Sequence, residues 1–402
     1  MPVPGILVAV LFLLTAEDYL AEGLKALDAR QPAAAEPLLR KAVEADPADV
    51  EAHFNLALAL SLQRKDPEAV AELRKTLELK PGLYEADLNL GILLLRDGKP
   101  ADAAGPLREA LEARPKEFRP NLYYAQALFD TGDFAGAEHG FAAAAELDPK
   151  NTAAPLGQAK ALLKLGRTGD AVARFRAAGS REGLLEAAQA YEHAGSRTEA
   201  IGLYKEFPED PGARQRLGEL LLDSGGDTSA AVENLEDAVR RNPSTAGRMA
   251  LADAYRRNKQ PEKMAEQLQL AANADPGNFE IRMALGRALR DAHKLIPAAQ
   301  QFQTAARLQP DSAPAWNELA SVLIINENYA EGLAALDRVR ALGKEIPGDY
   351  FLRAITLDRL KLKPQAVAAY RQFLEADQGA HQDQEFQARQ RMRIIENELK
   401  KK

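Results

Sequence analysis

The sequence predicts an all-α chain built as a solenoid of helix pairs, and three observations carry that prediction. Proline recurs every 34 residues at Pro47, Pro81, Pro115 and Pro149; apolar residues between those prolines are spaced at three and four; and the spaced Val/Ile/Thr/Tyr runs of half-buried strands are missing. At 402 residues the chain exceeds the size at which a single core stops growing, so either several globular domains or an elongated array is expected. A composition that is 46% hydrophobic but only 6% aromatic favours the array.

Aligning the prolines brings the remaining positions into register. The third unit, starting at Tyr84, carries Leu90-Gly91, Leu94, Ala103, Leu107, Ala110 and Pro115; the fourth repeats this 34 residues later with Tyr124-Ala125, Leu128, Ala137, Phe141, Ala144 and Pro149. Each unit reads as two helices of about a dozen residues separated by a short polar turn such as Asp97-Gly98-Lys99. Small residues at Gly91 or Ala125 and at Ala103 or Ala137 let the two backbones approach, and Leu107 or Phe141 fills the space between neighbours. The small residue eighth in each unit is Gly23, Ala57, Gly91, Ala125, Ala159, Ala188, Gly218, Ala252, Gly286, Ala320 and Ala354, which makes eleven units.

This spacing, W-x2-L-G-x2-Y, then A-x3-F, a further small residue and a closing Pro, with Trp316 opening one unit, resembles the tetratricopeptide repeat. The resemblance implies a right-handed superhelical α-solenoid of antiparallel helix pairs whose first helices line a concave groove. It also implies that side chains two, five, nine and twelve positions into each unit face that groove. The candidate partner-binding residues in the front units are therefore Leu20, Leu24, Phe54, Leu58, Leu88, Ile92, Leu122 and Phe129, with Asn55 and Asn89 repeating at one position before the series stops at Tyr123. The alternative for these leucines is burial by tight local curvature. The Lys/Asn pattern by which some members clamp a C-terminal carboxylate is missing. Later units place Gln189, Glu192, Glu219, Asp253, Asn317 and Ser321 in the groove, together with a candidate basic patch of Arg256, Arg257, Arg287 and Arg290; a solvated surface of ion pairs is the alternative.

The repeat is interrupted at the fifth unit, which runs from Phe175 and Ala178 through Gly179-Ser180 directly into the next helix without its proline. The seventh unit has one extra residue in its turn, Asp223 to Asp227. The expected organisation is a signal peptide over 1–16, units one to five over 17–180, units six to eleven over 181–380, and a capping helix over 381–402, with a change of curvature near residue 180. The signal peptide rests on the ten-residue apolar run Gly5 to Leu14, too short to span a bilayer, followed by Thr15-Ala16 and acidic Glu17-Asp18. It predicts a periplasmic or secreted protein that contacts membrane only through this segment; an uncut, buried start would make it cytoplasmic.

A net charge of −7 disfavours nucleic acid, whose binding depends on neutralising phosphates. Zero cysteines remove disulfides and thiolate chemistry. His53, His139, His193, His293 and His381 are scattered, read as solitary helix residues, and the Asp and Glu residues are expected at solvent positions or caps. No phosphate-binding loop, nucleophile elbow or H-E-x-x-H occurs. The expectation is a non-enzymatic chain with no catalytic residues, metal or cofactor. Its partner is a protein or peptide, bound as an adaptor in envelope assembly or, alternatively, as a holdase for unfolded chains or as a cytosolic adaptor.

Overall fold

The computed structural model describes residues 15–400. Among the described residues there are 23 α-helices and no strand. The first four pairs are α1 (Ala16–Asp28) with α2 (Pro32–Ala45), α3 (Val50–Leu62) with α4 (Asp66–Leu79), α5 (Tyr84–Arg96) with α6 (Pro100–Ala113), and α7 (Phe118–Thr131) with α8 (Phe134–Leu147). Then come α9 (Ala153–Lys164) and α10 (Thr168–Ala177), α11 (Arg181–His193) and α12 (Arg197–Tyr204), and α13 (Pro211–Asp223) and α14 (Thr228–Arg241). The last four pairs are α15 (Thr245–Arg257) with α16 (Pro261–Ala274), α17 (Phe279–Asp291) with α18 (Leu295–Leu308), α19 (Ala313–Ile325) with α20 (Tyr329–Ala341), and α21 (Pro347–Arg359) with α22 (Lys363–Asp377), followed by α23 (Gln382–Lys400). This is an all-α helical solenoid. It divides into two compact units, Met1–Ala200 and Ile201–Lys402, with the division inside α12. The expected signal peptide lies outside the described residues up to position 14; Thr15 and Ala16 open α1.

Local chemistry sets both ends of the helices. The repeating prolines follow two residues behind α2, α4, α6 and α8, and the residue before each proline is forced out of the helical region: Asp46 sits at φ −136°, ψ 94°. The turn inside each unit closes on a left-handed residue. Gly98 (φ +71°) donates from its N–H to the Leu95 carbonyl and Lys99 from its N–H to Leu94, satisfying the last carbonyls of α5. The same place is taken by glycine at 132, 166, 195 and 225, but by Arg30, Arg64, Lys259, His293, Glu327 and Lys361 in the other units.

In the first unit, each helix from α1 to α11 packs on its sequence neighbours in that run, and first helices also touch across pairs, α1 on α3, α5 on α7 and α7 on α9. The pairs interlock at the small residue of the first helix. A Cβ added to Gly91 would meet Leu107 Cγ at 2.3 Å, so hydrogen at this position is what admits the leucine. Ala35, Leu39, Leu73, Leu107 and Phe141 are fully buried along this seam. At the interruption, α10 stops at Ala177, Gly179 turns left-handed, and Ser180 accepts from the Gly183 N–H to start α11 at once. The Phe175 ring then packs directly against Gly183, which has no side chain to obstruct it.

The second unit repeats the scheme, with Gly286 admitting the Phe302 ring. Its end is α23, packed on α22. Only Ala388 and Ile395 of α23 are buried on the stack and Met392 partly so, whereas Phe386 (64%), Ile394 (44%) and Leu399 (38%) remain exposed.

A side chain at the fourth position of many first helices ties a unit to the proline turn before it. His53 Nε2 lies 3.1 Å from the Pro47 carbonyl; Asn121 (2.9 Å), Arg214 (2.8 Å), Arg282 (3.2 Å) and Trp316 (2.9 Å) donate to the carbonyls of Pro115, Pro208, Pro276 and Pro310.

Candidate partner-binding groove

The first helices α3, α5 and α7 form one wall of the first unit, and their exposed faces carry the predicted groove positions. Between them lies a cavity of about 150 Å³ lined by Phe54, Leu58, Ser61, Asn89, Ile92 and Arg119, with Leu73 beneath. Four of the ten sequence-derived candidates, Phe54, Leu58, Asn89 and Ile92, therefore meet at one site. Leu58 is the most open of them, 36% exposed, while Phe54 and Ile92 lean half-buried onto the core.

The other candidates are elsewhere. Leu88 is 4% exposed and belongs to the core of its unit, which removes it from the groove surface. Leu20 is half-buried against the same core, and Leu24 is half-buried on α1. Leu122 and Phe129 pack around a separate cluster of Ala125, Ala137 and Phe141, with the Phe129 ring edge-on to Phe134 at 5.4 Å. The Asn55 amide donates to the Glu51 carbonyl of its own helix (2.8 Å), so of the two asparagines only Asn89 faces the cavity.

Two cations at this site were not among the candidates. Arg96 is held by both oxygens of Asp66 and lies 3.3 Å from the Ser61 hydroxyl, so its charge is neutralised in place. Arg119 makes no ion pair among the described residues; Glu117, whose carboxyl feels its charge, already accepts from the Tyr84 hydroxyl (2.6 Å) and Arg114 (3.3 Å). Those two donors and nearby Arg119 hold the Glu117 carboxyl below its ordinary range, and burial with the Glu117 partner pushes Tyr84 up to about 12. Arg119 could have been found, because it stands second in its unit where the preceding units carry Glu17, Glu51 and Glu85.

The four arginines of the second unit are not an open basic patch. Arg256 and Arg257 both grip Asp253 at 2.9 Å, and Arg257 also donates to the Leu222 carbonyl. Arg287 and Arg290 straddle Glu318 (2.9 and 2.5 Å), an acid one unit further on. A larger cavity of about 500 Å³ opens between α18, α19 and α20 over Trp316, Leu319 and Leu323, and one of about 310 Å³ between α21, α22 and α23 beside Phe351 and Phe386.

Of the histidines, His53, His139 and His193 lie in helices as expected, and the others, like several acids, do not follow expectation. His53 is buried between Glu72 (2.6 Å) and the Pro47 carbonyl, and His293 and His381 sit in turns rather than helices. Asp87, Asp237, Asp349 and Asp377 are buried acids, not solvent or capping residues alone. Among the described residues no cluster of three His, Cys, Asp or Glu could hold a metal, and no helix is long and apolar enough to cross a membrane.

Among solved structures, MamA from Desulfovibrio magneticus RS-1 is similar at 20% identity over 40% of this chain and 92% of its own, with a TM-score of 0.39. A MamA labelled AMB-1 shares 24% identity over 41% and 90% (TM-score 0.39), and the pilF protein of Pseudomonas aeruginosa 22% over 48% and 90% (TM-score 0.37). Likenesses this distant transfer no partner. No curated protein matches the sequence. The tetratricopeptide repeat profile matches residues 20–84, 88–152, 156–214, 216–279 and 283–350, and indicates no enzymatic family. With helix pairs and interlocking small residues recurring in each unit and the profile matched over most of the chain, the chain belongs to the tetratricopeptide repeat family.

Proposed function

We propose that this protein is a non-catalytic adaptor that holds a partner polypeptide against the first helices of its front units. The observation that carries this reading is the cavity at the α3, α5 and α7 wall, where an apolar floor of Phe54, Leu58 and Ile92 stays open between packed helices. A void of about this size admits a ring the size of benzene, hence one apolar side chain. We extend the proposal to location: the apolar run ahead of Thr15 directs export, the partner is met in the periplasm or outside the cell, and the setting is envelope assembly.

The test replaces Phe54, Leu58 and Ile92 with Ser and measures retention of cross-linked partners from the native source, with far-UV circular dichroism to establish folding. A folded variant that retains the same partners as the wild type removes the groove from consideration. Retention of one partner through washing supports an adaptor; weak binding to many unfolded chains supports a holdase instead. Mass spectrometry of the mature N-terminus tests export, and an intact Met1 in a cytosolic fraction would refute it.

A further inference from the structure

We infer that the groove takes an extended peptide segment bearing one apolar side chain and, beside it, one carboxylate: the apolar group enters the cavity floored by Phe54, Leu58 and Ile92, and the carboxylate meets Arg119. This rests on the proposed function and specifies its ligand. Three observations lead to it.

First, Arg119 lines the same cavity as the apolar floor, so an anchor side chain and a charge on one short segment reach both at once. Second, the other guanidinium at the cavity, Arg96, is already committed to Asp66, whereas Arg119 makes no ion pair among the described residues. An arginine beside an apolar surface forms its strongest contact with a carboxylate, through two parallel N–H donors. Asn89, with no side-chain hydrogen bond among the described residues, faces the same space and offers a donor and an acceptor to an extended backbone.

Third, the acidic side chains at the equivalent position limit the charge to one. Glu17 and Glu51 stand second in their units, as Arg119 does in its own, and neither makes an ion pair among the described residues; Glu85 between them and Arg119 is held by Arg114 (2.7 Å). Glu51 stands two units before Arg119, on α3 rather than α7. A uniformly acidic peptide laid across the wall would meet repulsion at the α1 and α3 end. A ligand with its single carboxylate at the α7 end would not.

The experiment uses the full chain and fluorescein-labelled peptides of about nine residues, long enough to span the wall at about 3.3 Å per residue. In a Gly-Ser background they carry one Leu with a neighbouring Glu, placed on either side of it. Companion peptides replace Glu with Gln, or Leu with Ser, or carry Glu throughout. Fluorescence polarisation should give the Leu-Glu peptide about fivefold tighter binding than Leu-Gln at low salt, a gap of the size expected for one partly exposed ion pair. Arg119→Gln should erase that gap while leaving Leu-Gln unchanged, Arg119→Lys should restore part of it, and the all-Glu peptide should bind more weakly than Leu-Glu. Equal binding of Leu-Glu and Leu-Gln, or equal weakening of both by Arg119→Gln, overturns the carboxylate assignment while a Leu-over-Ser preference leaves the groove standing. If Leu and Ser peptides bind alike, or none binds, both the groove and its ligand fall.

Discussion

Asp87 occupies in α5 the place that Asn121 occupies in α7, one unit later, but it carries no proton donor for the turn it faces. Asn121 donates to the carbonyls of both Pro115 (2.9 Å) and Glu117 (2.8 Å). Asp87 is just as buried, 5% exposed, and takes no side-chain hydrogen bond among the described residues. Burial first, and the charge of Glu109 second, push its carboxyl up from 3.8 to about 6.

The folded-state value lies above the unfolded one, so the ionised carboxylate weakens the fold above about pH 6, and that loss is relieved as pH falls towards 4. Asp87→Asn should raise stability at pH 7.5 by about 1–2 kcal/mol and flatten the pH dependence between 4 and 6. Urea melts across that range check it; a variant less stable than the wild type at pH 7.5 would contradict the reading.

Glycine should improve the turns that lack it. Glu327 (φ +62°) and Arg64 (φ +62°) hold the left-handed conformation that glycine takes at 98 and 132. Non-glycine residues there cost roughly 1–2 kcal/mol, partly offset by the greater freedom of glycine in the unfolded chain. Glu327→Gly and Arg64→Gly should each stabilise by up to about 1 kcal/mol in denaturant titration. Loss of stability in both would show that the turn is not strained.

Two glycines should respond to alanine with opposite signs. Gly91→Ala drives a methyl into Leu107 and should destabilise by about 1–3 kcal/mol. Gly105, inside α6, has nothing within 4 Å of an added Cβ, so Gly105→Ala should stabilise by about 0.5–1 kcal/mol. Thermal melts of the pair decide it.

A cut after Ala16 would remove a working helix cap. The Thr15 side chain accepts from the Asp18 N–H (3.2 Å), and the Asp18 carboxylate accepts from the Thr15 N–H (2.8 Å). Protein beginning at Glu17 should exchange the first amides of α1 several-fold faster than protein retaining Thr15, by hydrogen exchange. Identical rates would mean that the cap does not hold this end.

The fold was legible because each unit restates it. Pro47, Gly91 and Phe141 each have a steric role that only a few residue types fulfil, and repetition at 34 residues separates such positions from chance. The left-handed turns were legible at Gly98 and Gly132 but silent at Arg30 or His293, where side chain and backbone disagree. The groove was half legible. Position in the unit identified Leu58 and Ile92, but it could not separate Leu88, which stands on the same helix as Ile92 yet is 4% exposed and turned into the core. Arg119 adds nothing to the apolar pattern and shows only as a change of charge at one repeat position, and the partner of Arg287 and Arg290 is silent in the sequence because Glu318 reaches them from the following unit.

The side chains that hold the proline turns have a consequence for how the chain acquires its structure. The bond from Asn121 to the Pro115 carbonyl spans six residues, as do those from Arg214, Arg282 and Trp316 to their prolines. Contacts so close in sequence carry little loop-closure entropy and form early. As the chain leaves the ribosome, each joint can therefore close as soon as the first turn of the next helix emerges. The growing protein is fitted together one link at a time from its N-terminus, without waiting for its far end.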